Sequence, residues 1–407
     1  MGPAPMSLAA PETARTVQPA DVAAAATAAH PPFTIGLHAD PAAVLDAWAE
    51  LEALAPASFY QTRRFLLPWI ATVGKAGGVE PAFILVRGQT GSPLALFPFG
   101  LKRRRGLAAL EFLGGRDSNA NLPLVRPGAQ LPPDTLTAIL REAARLTGAD
   151  FVHLKNQPLT WNGWTNPLAQ LPAQASPSQC HSTALDADPE IFLKRQLSKD
   201  ARKKLRGKQR KLEELGSLLH TIARTADEAR HILEAFYAQK LQRFDDKNID
   251  AGFDAAHYRS FFEQCCLPGQ DGAAPALELH ALALNGKVLA TYAGGVHNGR
   301  FHGLFNSFDT DPDIARHSPG DLLLKMLVEA KCREGLHTLD LGIGEARYKS
   351  TWCDTAEPLA DVALAFTAKG HAARLAVSLL QSAKRNIKQS AWAWPLWLKL
   401  RERMRRK

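Results

Sequence analysis

Residues 300–352, RFHGLFNSFDTDPDIARHSPGDLLLKMLVEAKCREGLHTLDLGIGEARYKSTW, decide how this chain is read. The run from Arg300 to Phe308 predicts a strand, DTDPDIARH a loop, and LHTLDL (336–341) a second strand. Between the strands, Ser318 fits a helix N-cap. Pro319 fits the first turn because it needs no donor there, and Asp321, three residues after Ser318, resembles a capping box. Leu322, Leu323, Leu324, Met326, Leu327, Val328 and Ala330 then carry the helix to a stop at Gly335. A strand feeding a helix N-terminus, with a strand returning beside it, can hold an anion, because the free amides there carry roughly half a positive charge. Arg316 and His317 stand just before that end and add to it. The same spacing also describes a helix that is simply well capped. After the second strand, Gly342-Ile-Gly344 leads into Glu345, Arg347, Tyr348 and Lys349.

The flanking sequence repeats the plan. Ala276 to Leu284 and Val288 to Val296 predict a hairpin across Asn285-Gly286, ahead of the 300–308 strand. Earlier, 82–87 and 94–101 form a hairpin across Gly88 to Pro93. Strand 107–113 follows, then a helix from Asp134 to Gly148, then a strand from Phe151. Two copies of one module follow: an α/β (α+β) fold, each module a mixed, mostly antiparallel sheet flanked by helices. The expected divisions are 1–32, a disordered Ala/Pro leader; 33–185, the first module; 186–370, the second, with a basic helical insertion at 188–244; and 371–407, a basic Trp-rich helical tail. Within the insertion one long helix starts at Asp188-Pro189 and runs to Gly216, with Leu197, Ala201, Leu205, Leu212 and Leu215 as its stripe. A second, near 227–244, buries Leu233, Phe236, Tyr237, Leu241 and Phe244.

Charge is concentrated. The chain carries +9, and residues 194–211 alone hold ten Lys/Arg against one acid, Asp200. Five cysteines, an odd number without metal-ligand spacing, predict a reducing compartment and no metal. The leader lacks the apolar core of a signal peptide, and no window is apolar enough to span a membrane, so a cytoplasmic protein is expected. Trp392, Trp394 and Trp397 beside a basic end suit the inner membrane face, giving residues 384–407 as a contact with an acidic surface, or equally they pack onto the domain. No Ser-His-Asp, metal or P-loop constellation is present in the sequence.

Several clusters resemble the CelD/BcsL family of GNAT-type acyltransferases, which is Fem-like in having two GNAT modules in tandem. They are Asn306-Ser307-Phe308-Asp309, Ala315 to Gly320, Leu339 to Gly344, and Tyr348-Lys349 with Trp352. Phe59-Tyr60-Gln61-Thr62, Pro98 to Arg103, Leu113-Gly114-Gly115, Asp117-Ser118 and Asn121-Leu122 resemble its amino-terminal half. The match covers roughly residues 35–365. The resemblance implies two tandem GNAT-like modules and acetyl-CoA or another acyl-CoA as co-substrate. It places pyrophosphate at the helix N-terminus, with Arg316, His317, Ser318, Gly320 and Asp321 as the cofactor-binding residues. The sequence departs from the common Arg/Gln-x-x-Gly-x-Gly/Ala loop, since Arg316 is followed by His-Ser-Pro-Gly320.

Attack of an amine on a thioester needs positioning, an oxyanion donor and proton routes. Asp340 is placed to orient or deprotonate the acceptor, or to cap the Gly342 turn. Tyr348 can protonate the leaving thiolate, or serve as core. Lys349 can pair with a phosphate or an anionic acceptor. Asn306, Glu345 and Arg347 are candidates for acceptor contacts, with a solvated surface as the other reading of Glu345 and Arg347, and His297 and His302 near the strand pair read as ordinary strand residues more readily than as catalysts. The expected function is acyl-CoA-dependent N- or O-acyl transfer to a small-molecule, glycan or lipid-linked acceptor, in cellulose or exopolysaccharide production or the cell envelope. The alternatives are a Fem-like transferase taking its acyl group from aminoacyl-tRNA bound along 194–211, and a non-catalytic membrane-surface protein.

Overall fold

The sequence folds around two twisted sheets of the same design. The computed structural model describes residues 33–245, 252, 255–269 and 272–389; the leader, the tryptophans after 390 and the side chain of Phe244 lie outside them. In chain order the elements begin with β1 (Phe33–His38), α1 (Leu45–Leu54), α2 (Arg63–Trp69), β2 (Val79–Gly88), β3 (Pro93–Arg104) and β4 (Leu107–Phe112). Then come α3 (Pro133–Thr147), β5 (Phe151–Pro158), β6 (Ala173–Ala175), β7 (Cys180–Ala184), α4 (Pro189–Gln196), α5 (Lys199–Glu213), β8 (Leu218–Ile222) and α6 (Ala226–Asp245). The rest are α7 (Ala256–Cys266), β9 (Glu278–Leu284), β10 (Lys287–His297), β11 (Arg300–Phe308), α8 (Pro312–Ala315), α9 (Pro319–Arg333), β12 (Thr338–Ile343), α10 (Arg347–Trp352), β13 (Thr355–Glu357), β14 (Leu359–Ala365) and α11 (Ala368–Gln389).

The first sheet runs β1-β2-β3-β4-β5-β14-β6 and the second β8-β9-β10-β11-β12-β7-β13. In each, an antiparallel meander of four strands ends in a helical crossover, α3 or α9, that returns a strand in parallel. Thus β4 pairs with β5 at Ala109↔Phe151 and Leu110↔Val152, and β11 pairs with β12 from Arg300↔Thr338 to His302↔Asp340. The predicted hairpin turns at Asn285 (φ 50°) and Gly286 (φ 83°), the left-handed pair that an Asn-Gly turn favours. Helix α9 buries Leu322, Leu323, Leu324, Leu327 and Val328 beneath the second sheet, as its spacing predicts.

Strand exchange closes the design. Beside β5 lies β14, contributed by the second half, and beside β12 lies β7, contributed by the first. Strand pairing therefore cuts across the division read at 185/186. One core also spans both halves, with Phe65 against Phe261 at 5.6 Å and Phe59 packed over Gly295, where a Cβ would stand 2.2 Å from the ring. Each fully buried aromatic of this kind contributes about 1.5–3 kcal/mol.

Three local expectations are corrected. The long basic helix breaks at Leu197, which is extended, because Ser198 caps a new helix by accepting from the Ala201 amide. The insertion is not wholly helical, since β8 joins the second sheet as an edge strand. Of the predicted stripe, Leu197 and Leu212 are buried but Leu215 is exposed, and Leu241 on α6 is also exposed.

Candidate functional site

The pairing of β11 with β12 stops at His302 and Asp340, although β11 continues to Phe308. Asp340, 1% exposed, lies at the last rung. Its Oδ2 accepts from Arg300 Nε at 3.0 Å and lies 3.5 Å from His302 Nδ1. Its Oδ1 accepts from the Gly342 amide at 2.7 Å and from the Cys180 thiol at 3.2 Å. Asp340 thus caps the glycine turn and anchors a charge cluster. Arg300 reaches on to Glu357 Oε1 at 2.8 Å, and its guanidinium lies 4.2 Å over the Trp161 ring.

Electrostatics sets the protonation states. Burial alone would favour the neutral acid at Asp340, but Arg300, His302 and the Gly342 amide outweigh it and hold the carboxyl well below the usual carboxylate range. Burial pushes the Cys180 thiol and the Tyr60 hydroxyl well up, with Asp340 adding to both, so each is neutral. His302 is driven down by burial against the opposing pull of Asp340 and is a neutral imidazole at pH 7. Its Nε2 has no hydrogen-bond partner among the described residues.

The first half supplies the other wall. Trp161 stacks on the His302 ring with centroids 5.8 Å apart, and Tyr60 meets it edge-on at 5.6 Å. Asn119 Nδ2 donates to the Tyr60 hydroxyl at 2.7 Å. Both groups approach within 3.5 Å of the Gly303 carbonyl, just past the last rung of the ladder. A Cβ on Gly342 (φ 75°) would lie 2.4 Å from Asn119 Nδ2, so glycine is required there for both space and backbone.

The α9 end differs from its sequence reading. Ser318 is the N-cap residue, but at φ 52° its side chain makes no capping bond and no capping box forms. Its Oγ instead accepts from Lys208 Nζ at 2.6 Å, which brings the basic helix α5 to the N-terminus of α9. Asp321, half-buried there, has its carboxyl raised by burial, with Lys208 and Arg347 pulling the other way. Gly320 is open enough that a Cβ would only touch Phe308 at 3.6 Å. Arg316 pairs with Asp313 at 3.2 Å and donates to His317 Nε2 at 3.3 Å.

The remaining sequence candidates fall around this frame. Lys349 is buried, with its ammonium donating to the carbonyls of Gly342 (3.2 Å) and Ile343 (2.6 Å). Tyr348 accepts from Asn306 Nδ2 at 3.3 Å and also bonds Tyr292. Glu345 is exposed, 3.8 Å from His181 Nε2. The structure thus gathers Asp340 and Lys349 at the Gly342 turn and Ser318, Gly320, Asp321 and Arg347 at the α9 end. Arg300, Glu357, Cys180, Asn119, Trp161 and Lys208 were not singled out from sequence. Lys208 was visible only as one of ten basic residues, and no local signal marks the others. Among the described residues no His/Cys/Asp/Glu group could hold a metal ion, and no helix is long and apolar enough to cross a membrane.

Residues 199–350 match the family described as acetyltransferase (GNAT) domain, a stretch that contains α5, α9 and Asp340. No curated protein matches the sequence. Among solved structures, FemX superposes with a TM-score of 0.52 at 10% identity, over 79% of this chain and 96% of that one. The C-terminal domain of a proposed lysylphosphatidylglycerol synthetase from Agrobacterium fabrum gives 0.50 at 13%, over 84% and 96%. A protein of unknown function from Bacteroides thetaiotaomicron gives 0.50 at 14%, over 81% and 99%. At these identities the likeness is one of fold, and it extends over both halves.

Proposed function

We propose that this chain, which carries a GNAT acetyltransferase domain at 199–350, is an acyl-CoA-dependent acyltransferase whose acceptor enters between the two halves. The observation that carries the reading is the end of the β11/β12 ladder at a buried carboxylate and a neutral histidine whose Nε2 has no partner among the described residues, walled by Tyr60, Asn119 and Trp161 of the first half. In the reaction an acceptor amine or hydroxyl attacks the thioester carbonyl, its proton passes to His302, the C–S bond breaks, and the thiolate leaves with a proton from Tyr348. A carboxyl held as low as that of Asp340 is too weak a base to carry the proton at neutral pH, so Asp340 orients His302 and fixes the Gly342 turn.

The phosphates would meet α9 through Ser318, Gly320 and the Lys208 ammonium, a cation standing where Pro319 brings no amide. The finer placement, among CelD/BcsL-type enzymes with a glycan or lipid-linked acceptor, is supported by the motifs at 306–309, 315–320 and 339–349. Because α5 presents Lys203, Lys204, Arg206, Arg210 and Lys211 to solvent beside the same end, aminoacyl-tRNA is the second reading.

Calorimetric titration with acetyl-CoA and longer acyl-CoAs tests the first reading. Micromolar binding that weakens in Gly320→Trp supports it. Failure of every acyl-CoA to bind, with a salt-sensitive shift by tRNA, transfers the assignment to the second.

A further inference from the structure

Helix α11 is built inside out. The side turned to the first sheet is polar: Gln381 Nε2 donates to Asp361 Oδ2 at 2.7 Å and meets His153 Nε2 at 3.2 Å, Ser378 bonds Gln174, and Arg385 Nη1 donates to the Ala175 carbonyl at 3.4 Å. The opposite side shows Leu375, Leu379 and Leu380 to solvent at 62%, 63% and 62% exposure, with exposed Ala372, Ala376 and Ala383 between and around them. Three leucines on one outward face make a contiguous apolar stripe, which a free surface rarely keeps without a partner.

Charge identifies the partner. Residues 368–407 carry eleven Lys/Arg and one acid, Glu402, whereas the whole chain nets only +9. The residues that continue from α11 also include Trp392, Trp394 and Trp397. A second copy meeting this face about a two-fold axis would set like charge on like charge, and the chain's own 390–407 segment is as basic as the helix it would cover. An anionic lipid surface answers both properties, with leucines at the boundary of headgroups and acyl chains and Lys/Arg on phosphates. We propose that the outer face of α11 docks the protein on an anionic membrane surface. This inference does not rest on the transferase reading.

Sedimentation of the full chain with vesicles tests it. The protein is expected to pellet with phosphatidylcholine vesicles containing phosphatidylglycerol, to stay in solution with phosphatidylcholine alone, and to release as NaCl is raised. The triple variant Leu375→Gln, Leu379→Gln, Leu380→Gln changes only exposed side chains, so circular dichroism and acyl-CoA binding should remain as in the wild type. Its affinity for the anionic vesicles should drop at least about tenfold, given the apolar area withdrawn from the interface. The proposal is overturned if the wild type ignores anionic vesicles, if the triple variant binds as well as the wild type, or if ultracentrifugation shows a dimer that the triple variant dissolves.

Discussion

Arg300 and Asp340 form an ion pair at 3.0 Å with side chains 6% and 1% exposed, Arg300 on the first and Asp340 on the last of the three paired rungs between β11 and β12. Removing one partner of such a pair leaves the other charge buried and alone, which costs about 3–5 kcal/mol. Asp340→Ala is therefore expected to destabilise by that amount in urea unfolding. The pH dependence has a definite sign. The folded carboxyl titrates below its unfolded value, so its contribution is complete above an ordinary carboxylate pKa of about 4 and is lost as pH falls further. Asp340→Asn should flatten the stability profile below pH 4, and an unchanged acid slope would refute the coupling.

His302 should define the acid limb of activity. Burial holds its imidazole neutral, so kcat/KM is expected to be level at pH 6.5 and to fall only below that value, as the ring gains a proton. His302→Gln should lower kcat about 100- to 10,000-fold with the acyl-CoA Kd unchanged. A pH profile whose limb stays in place in that variant would remove His302 from the proton route.

Lys349 and Lys208 should separate under mutation. The Lys349 ammonium is held by two backbone carbonyls, so Lys349→Met is expected to lower Tm and kcat while leaving the acyl-CoA Kd within about twofold. Lys208→Ala, at the α9 end, should raise that Kd about tenfold, or 1.4 kcal/mol, and weaken its salt dependence. Titration calorimetry on both variants decides; the reverse pattern would return Lys349 to the phosphates.

A second buried charge cluster has a structural role. Lys331, 0% exposed, bonds Glu278 and, at 2.7 Å, Glu334, while Glu278 bonds His280 and His280 meets His220 at 3.1 Å. Lys331→Met should cost about 3–5 kcal/mol, and adding Glu278→Gln should restore part of it in a double-mutant cycle. Burial, with His280 beside it, drives His220 down to about 4, and His280 is lowered as well. Both imidazoles therefore contribute stability above about pH 6.5 that is lost as pH falls, and thermal melts at pH 7 and 5 should show it.

Much of the second module could be read from residues alone. Periodicity located α9, Asn-Gly located the β9/β10 hairpin, and the 300–352 stretch held Asp340 and the Gly342 turn. Long-range partners could not be read, because no local pattern distinguishes a strand that stays in its own half from one that leaves it. Cys180 and Glu357 meet Arg300 and Asp340 only through the pairing of β7 with β12 and β13. Ser318 misled for a local reason: its residue type fits a cap, but its left-handed backbone sends the hydroxyl to Lys208 instead.

The exchange of β7 and β14 imposes an order on synthesis. When β5 (Phe151–Pro158) emerges from the ribosome, the strand that will cover its free edge, β14 (Leu359–Ala365), has still to be translated. At about 5–20 residues per second, that edge waits roughly 10–40 s with its backbone donors and acceptors open. A nascent chain halted before residue 359 therefore still lacks the strand that pairs with β5 and keeps that edge unpaired.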